Sequence, residues 1–341
     1  MDTIKQYNLA ELQSLVKELG QPAFRAKQLY EWLYKHHVAS YEEMTNLPAA
    51  LREKLAKEAP YVASTIDEIQ TSVDGTRKYL IKLEDGVLVE SVGIPSEDGK
   101  RLTVCVSTQA GCPMACAFCA TGQQGLTRNL AAGEIVEQVL LVQEDFQERV
   151  SNVVFMGQGE PFLNYDNVIK ALRILNDPTV IGIGARSMTV STCGIIEGIK
   201  KFTQEPEQFN LALSLHATDQ DLRDGLMPKV QKDTLVKLHD TLMNYTEETN
   251  RRVTLEYLMI KDINDSQEDL ESLAAFTQGM LAYVNLIPIN AVPEAAFQPS
   301  PQKTILAWET YLRKHGTETI QRNSRGQDID GACGQLKNTR K

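Results

Sequence analysis

Cys112, Cys116 and Cys119 lie in the run Cys112-Pro113-Met114-Ala115-Cys116-Ala117-Phe118-Cys119, a C-x3-C-x2-C spacing on one short segment. Three thiolates can hold a cube of iron and sulfur and leave one iron open to a substrate. The same soft donors suit zinc, but a structural zinc site usually takes four ligands, often as two paired clusters. No second C-x2-C follows. Of the histidines, His36, His37, His216, His239 and His315, only His216 is a candidate fourth ligand, and its spacing does not demand that role. Iron–sulfur is the first reading, zinc the second and buried free thiols the third. Another cysteine, Cys333, sits far along the chain in Gly331-Ala332-Cys333-Gly334-Gln335-Leu336. The chemistry turns on whether these two segments meet.

Other residues offer weaker signals. Glu90 is acidic within the otherwise apolar run Val87-Leu88-Val89-Glu90-Ser91-Val92, where burial would raise its pKa into a useful range for a base. An outward-facing, solvated glutamate is the ordinary alternative. Gly157-Gln158-Gly159-Glu160 reads on its own as a turn with a satisfied glutamate. Cys105 reads equally as a small buried residue of a strand, and Cys193 as packing.

The elements that must position these residues follow from periodicity. Leu9, Leu12, Leu15, Val16 and Leu19 mark a first helix ended by Gly20; Ala26, Leu29, Tyr30 and Leu33 mark a second, after Pro22; a third opens at Asn46-Leu47-Pro48. They predict a helical accessory domain over 1–60. Residues 61–98 read as a β-rich linker, with alternation from Thr76 to Leu83, a turn at Asp85-Gly86 and a boundary at Ser96-Glu97-Asp98-Gly99. From 99 to 341 short β-rich runs alternate with helical stretches. Strands are expected at Leu102–Val106, Asn152–Phe155, Ser187–Ser191, Phe209–Leu215, Val253–Met259 and Tyr283–Pro288; helices at about 133–147, 166–175, 195–204, 232–244, 267–278 and 301–315. The fold class is α/β, with a partial (βα)6 barrel as first choice and an open doubly wound sheet as second. In either, chemistry belongs at the C-terminal ends of the strands. Cys112, Gly157, Ser191, His216 and Asn290 all fall there.

Composition bounds the function. The hydrophobic share of 42% is enough for a sizeable core, and no run approaches the length of a membrane span. Cysteines without a signal pattern at Met1–Gln6 predict a reducing cytoplasm and metal or catalytic thiols. The net charge of −10 argues against nucleic-acid binding by global attraction but leaves room for a local basic track. Candidates are Arg25 and Lys27, Lys200 and Lys201, Arg251 and Arg252, Arg322 and Arg325, and the tail Lys337, Arg340 and Lys341; solvated surface charge is the ordinary alternative.

The C-x3-C-x2-C run, with aromatic Phe118 before its last cysteine, resembles the radical S-adenosylmethionine signature. Further segments narrow the likeness: Ser107-Thr108-Gln109-Ala110-Gly111-Cys112, Gly125 to Leu130, Phe155 to Pro161, Ser214-Leu215-His216-Ala217 and Asp328 to Leu336. In this order they resemble the RlmN/Cfr RNA methyltransferases, from the N-terminal helices to the tail. Gly159-Glu160-Pro161 is closer to the RlmN branch, whereas Cfr relatives tend to lack that proline. Two departures are Gly331, where alanine is usual, and Gln158, where methionine is common.

The resemblance implies a radical enzyme that methylates C2 of an adenine in 23S rRNA, at the peptidyl-transferase centre, and of the adenosine 3′ to the anticodon in tRNA; Cfr-type C8 methylation is the alternative. It implies that Cys112, Cys116 and Cys119 hold one [4Fe-4S] cluster. It further implies that Gly159, Glu160, Ser191, Ser214, Leu215, His216 and Asn290 contact S-adenosylmethionine, with two molecules used per turnover. By the same likeness Cys333 becomes the methyl carrier, Cys105 releases the product through a transient disulfide with Cys333, and Glu90 is the proton acceptor. An electron donor such as flavodoxin and a monomeric, non-membrane protein are expected. Radical chemistry suits adenine C2, an electron-poor sp2 carbon whose C–H resists simple nucleophilic attack on a methyl donor.

Overall fold

The computed structural model describes residues 3–230, 233–290 and 297–337. The chain opens with helices α1 (Leu9–Glu18), α2 (Phe24–Tyr34) and α3 (Ala49–Glu58). The start of α1 is fixed by a reciprocal cap: Asn8 Oδ1 accepts from Glu11 N at 3.0 Å and Asn8 N donates to Glu11 Oε2 at 2.7 Å. Pro48 sets the entry of α3, where a missing N–H costs nothing. The apolar stripes seen in the sequence, Leu12 and Val16, Leu29 and Leu33, Leu51 and Leu55, are buried in one continuous core with the rest of the chain.

Three strands follow, β1 (Thr65–Thr71), β2 (Arg77–Lys82) and β3 (Leu88–Pro95). They form an antiparallel meander that joins β4 (Leu102–Cys105) through β3, with Val92 opposite Cys105. The segment read as a linker is therefore part of the main sheet, and Ser96–Gly99 is a tight turn between two paired strands, closed by Ser96 Oγ donating to Asp98 Oδ1 at 2.6 Å.

Beyond β4 the chain makes the small hairpin β5 (Gln109–Cys112) and β6 (Gly125–Asn129), then α4 (Ala132–Phe146), β7 (Val150–Phe155), α5 (Tyr165–Asn176), β8 (Met188–Thr192) and α6 (Ile196–Thr203). It continues with β9 (Asn210–Ser214), α7 (Gln220–Leu226), α8 (Leu235–Thr249), β10 (Val253–Met259), α9 (Gln267–Thr277), β11 (Ala282–Pro288), α10 (Gln302–Lys314) and β12 (Glu318–Gln321). Among the described residues the sheet has ten strands in the order β1-β2-β3-β4-β7-β8-β9-β10-β11-β12, and every pairing from β4 to β12 is parallel. This is the expected partial (βα)6 barrel, extended at one edge by the meander and at the other by β12, a strand the sequence did not signal. Helix α7 was also unforeseen, and α8 starts later than expected. Among the described residues no helix is long and apolar enough to cross a membrane.

The N-terminal helices dock against α4. Lys5 Nζ and Glu137 Oε1 meet at 2.8 Å with both side chains buried, and Tyr34 Oη donates to Lys5 O at 2.8 Å. Gly133 permits this approach, since a Cβ there would lie 1.9 Å from Lys5 O.

Candidate active site

The three signature cysteines are carried by the β5–β6 hairpin. Cys112 ends β5 opposite Gly125, and Cys116 and Cys119 lie on the loop between the strands. Gly111 precedes Cys112 with φ +76°, and a Cβ there would lie 2.0 Å from Gly125 O, so only glycine fits this crossing. The loop is pinned by Ala117 N donating to Leu226 O at 2.9 Å, at the end of α7.

The distant Cys333 segment meets this loop. Ala120 N donates to Gly334 O at 2.8 Å, and Thr121 Oγ1 donates to Leu336 O at 2.6 Å. Asn290, just after β11, donates through Nδ2 to Cys333 O at 2.9 Å. Cys105, Cys112, Cys116, Cys119, Cys193 and Cys333 all line one cavity of about 340 Å³ at the C-terminal ends of the strands. All six are free thiols. Cys333 is exposed to the cavity, its thiol raised by the enclosing walls and drawn down by Arg322. Burial pushes the Cys105 and Cys112 thiols up to about 12 and the Cys116 thiol well above its usual value; Cys333 adds to the effect at Cys105, and Cys119 and Glu160 to that at Cys112.

Gly157-Gln158-Gly159-Glu160 follows β7 and is stitched to the segment after β4. Gly157 N donates to Val106 O at 3.0 Å, Thr108 N to Gln158 O at 2.8 Å, and Glu160 N to Gln109 Oε1 at 2.9 Å. A Cβ at Gly157 would lie 2.7 Å from Val106 O. The Glu160 carboxylate lines the cavity and accepts from Phe162 N at 3.0 Å and Cys193 N at 2.8 Å, while burial raises its pKa. Ser191, Ser214, His216 and Asn290 line the same cavity. Leu215 does not: its side chain is fully buried in the core, and its carbonyl accepts from Arg223 Nε at 3.2 Å. His216 has φ +60° and its ring meets Phe118 edge-on at 4.7 Å. Its Nδ1 accepts from Leu258 N at 3.2 Å, which leaves Nε2–H as the donor. Burial lowers its pKa to about 3, so the ring is neutral in neutral solution.

Glu90 lies on β3, outside the lining, with 4% exposure. Burial raises its pKa; the Lys78 ammonium, 3.3 Å from Oε1, and the Lys337 N–H oppose that rise. Glu90 O accepts from Ser107 Oγ at 2.5 Å, and Glu90 N donates to Gln158 Oε1 at 3.2 Å, which ties this strand to the glycine turn.

Cys193, read as packing, is buried, but its backbone and thiol also face Glu160 inside the cavity. Glu256 and Arg322 are lining residues that sequence reasoning missed as a pair: Arg322 Nη1 lies 3.7 Å from Glu256 Oε2, and Asn285 Nδ2 donates to Glu256 Oε1 at 3.0 Å. Glu256 carried the same signal as Glu90, an acid inside an apolar strand. Most of the proposed basic track is engaged internally. Arg25 donates to Asn46 O, Lys200 pairs with Glu197, Arg251 donates to Phe209 O, Arg252 pairs with Glu318, and Arg325 donates to Asp74 O. Arg340 and Lys341 lie outside the described residues.

Among the described residues no three His, Cys, Asp or Glu side chains converge as they would around a single metal ion. Three thiols lining one cavity with further polar groups fit instead an iron–sulfur cluster, which these three cysteines would hold, leaving one iron without a protein ligand.

Comparison with known proteins agrees with this geometry. Residues 4–60 match the ribosomal RNA large subunit methyltransferase N-terminal domain, and residues 106–274 match the radical SAM superfamily. The chain is 43% identical to "Probable dual-specificity RNA methyltransferase RlmN" of Clostridium novyi (strain NT), over 99% of this chain and 98% of that protein. It is 47% identical to the protein of the same name from Microcystis aeruginosa (strain NIES-843 / IAM M-2473), over 99% and 98%. The crystal structure of a radical SAM methyltransferase from Sphaerobacter thermophilus superposes with a TM-score of 0.93 at 41% identity, covering 98% of this chain and 99% of that one. Membership in this superfamily implies a [4Fe-4S] cluster and S-adenosylmethionine. The chain belongs to the RlmN family of radical SAM RNA methyltransferases.

Proposed function

We propose that this enzyme methylates C2 of an adenine in 23S rRNA at the peptidyl-transferase centre and of the adenosine 3′ to the anticodon in tRNA. The observation that carries this reading is the shared cavity of Cys105, Cys333 and the three signature cysteines. Cys333 is a free, exposed thiol on a loop hydrogen-bonded to the signature loop, which is the position a methyl carrier requires.

Cys112, Cys116 and Cys119 hold the cluster, and the lining residues Gly159, Glu160, Ser191, Ser214, His216 and Asn290 surround S-adenosylmethionine; Leu215, buried in the core with its backbone bonded to Glu256 and Arg223, positions Ser214 and His216 rather than touching the cofactor. Bound there, the two supply the methyl group and a hydrogen-abstracting radical, with two S-adenosylmethionine molecules used per turnover. Cys333 Sγ carries the methyl group to the ring carbon and is for a time bonded to the RNA through it. Glu90, kept protonatable by burial, takes the proton from C2. Cys105 Sγ, as the thiolate, then attacks Cys333 Sγ: the S–S bond forms as the bond from Cys333 Sγ to the transferred carbon breaks, the electron pair goes to that carbon, which takes a proton to complete the methyl group, and the reductant restores both thiols by reducing the disulfide. The enzyme acts in the cytoplasm as a monomer with a small reductant such as flavodoxin, and helices α1–α3 contribute to RNA contact.

Cys105→Ala and Cys333→Ala test the scheme. Cys105→Ala should accumulate a covalent protein–RNA species linked through Cys333. Cys333→Ala should abolish methylation of both protein and RNA. Normal turnover by Cys105→Ala would refute the release step.

A further inference from the structure

Arg223 on α7 is fully buried and is among the largest side chains with no exposure. Its guanidinium meets carbonyls only: Nε donates to Leu215 O at 3.2 Å, and Nη2 to Cys193 O at 2.6 Å and Ser214 O at 3.4 Å. Nη1 is buried without a partner among the described residues. Among the described residues no carboxylate forms an ion pair with it; the titratable groups that feel its charge include Asp224, Asp233, His216 and the thiols of Cys193 and Cys116. A buried guanidinium that lacks a carboxylate is costly, because carbonyl dipoles replace only part of the lost hydration.

The missing counter-charge has an evident source. The helix that carries Arg223 also anchors the signature loop, through Leu226 O and Ala117 N at 2.9 Å. Cys112, Cys116 and Cys119 pack against the apolar group that contains Leu226 and Met227. A cluster held by three thiolates is anionic, and reduction adds further negative charge. Arg223 is fully buried, so its charge acts on its surroundings with little screening.

We propose that Arg223 is the fixed counter-charge of the cluster and sets how readily it accepts its electron. Reduction potentials of such clusters follow local charge, hydrogen bonding and exposure, and Arg223 is a fully buried cation on the helix that anchors the ligand loop. The inference rests on the cluster assignment made above. Arg223 is fully buried and lies outside the cavity lining, so its role is to tune the electron-accepting step.

The test is a redox titration of the anaerobically reconstituted full-length protein, followed by the paramagnetic signal of the reduced cluster. Arg223→Met removes the charge at similar volume and should move the midpoint to more negative potential at unchanged iron and sulfide content. Arg223→Lys keeps the charge and should titrate close to the wild type. A Met variant that titrates with the wild type, or Lys and Met variants that shift alike, would overturn the proposal. If Arg223→Met loads no cluster, iron uptake becomes the readout: Arg223→Lys must then load as the wild type does, and equal deficiency of the two would overturn the charge role. Absence of iron and sulfide from the wild type contradicts the cluster assignment itself, whereas a loaded wild type with unshifted variants contradicts only the role of Arg223.

Discussion

The side-chain amide of Asn290 binds the loop of Cys333 on both sides. Its Nδ2 donates to Cys333 O at 2.9 Å, and its Oδ1 accepts from Gln327 Nε2 at 2.7 Å. A residue proposed to contact the cofactor thus also fixes the loop of the thiol proposed to receive the methyl group. Asn290→Ala should cost about 1–3 kcal/mol of local stability in that loop. The expected result is faster alkylation of Cys333 by iodoacetamide together with weaker S-adenosylmethionine binding. An unchanged alkylation rate would show that the loop is held elsewhere.

The β1–β2 turn clasps the same loop from the other side. Gly326 N donates to Asp74 Oδ2 at 2.9 Å, and Ser72 Oγ donates to Asp328 Oδ1 at 2.5 Å. Burial pushes the Asp74 pKa up, but hydrogen bonds from Thr76, Gly326 and Ser72 outweigh it and hold the group at about 2. Its contribution to stability is therefore present above the ordinary value of 3.8 and is lost as pH falls towards about 2. Asp74→Ala should raise hydrogen exchange across 326–336 about tenfold at neutral pH, the effect of one lost hydrogen bond to a charged group. Iron content should not change.

Glu90 predicts a distinctive pH profile. Its folded pKa is raised, first by burial, so the acid limb of turnover should lie above the ordinary carboxylate range. Glu90→Gln should remove RNA methylation while leaving Cys333 methylation intact. The same shift has a stability consequence. Between the unfolded and folded pKa values the native state holds the extra proton, so stability falls as pH rises through that interval. Glu90→Gln should abolish this fall, measurable by denaturant titration at several pH values.

Gly159 has φ +106°, and a Cβ there would lie 2.6 Å from Gln109 Cβ. Gly159→Ala should destabilise the turn by about 1–3 kcal/mol, the usual strain for a side chain in such a conformation. Thermal denaturation reads the loss directly, and calorimetry should show weakened S-adenosylmethionine binding.

The parallel strands were legible because they are buried, β-rich runs at regular spacing, and the site residues at their ends came with them. Strand β12 was not, because its pattern is inverted: Thr319 is buried while Ile320 is 42% exposed. Helix α7 is seven residues of mostly polar sequence containing Gly225, so it shows no apolar stripe. Arg223 was invisible for the same reason, since an arginine in a short polar helix gives no sign of burial. The meander read as a linker because pairing between β3 and β4 depends on register across a turn, not on composition. Gln158 and Glu256 were reachable in principle: each is a polar residue where the neighbouring pattern demands burial. The joining of Cys333 to the signature loop depends on backbone contacts with Ala120 and Thr121, which spacing alone does not encode.

The most direct test of the account is the methylated base itself. 23S rRNA and tRNA treated with the reduced, cluster-loaded enzyme and S-adenosylmethionine are digested to nucleosides and resolved by chromatography and mass spectrometry against synthetic standards. Methyl transfer through Cys333 to C2 predicts 2-methyladenosine from both RNAs, lost in Cys333→Ala. Detection of 8-methyladenosine instead, or of 2-methyladenosine made by the Cys333→Ala protein, would contradict it.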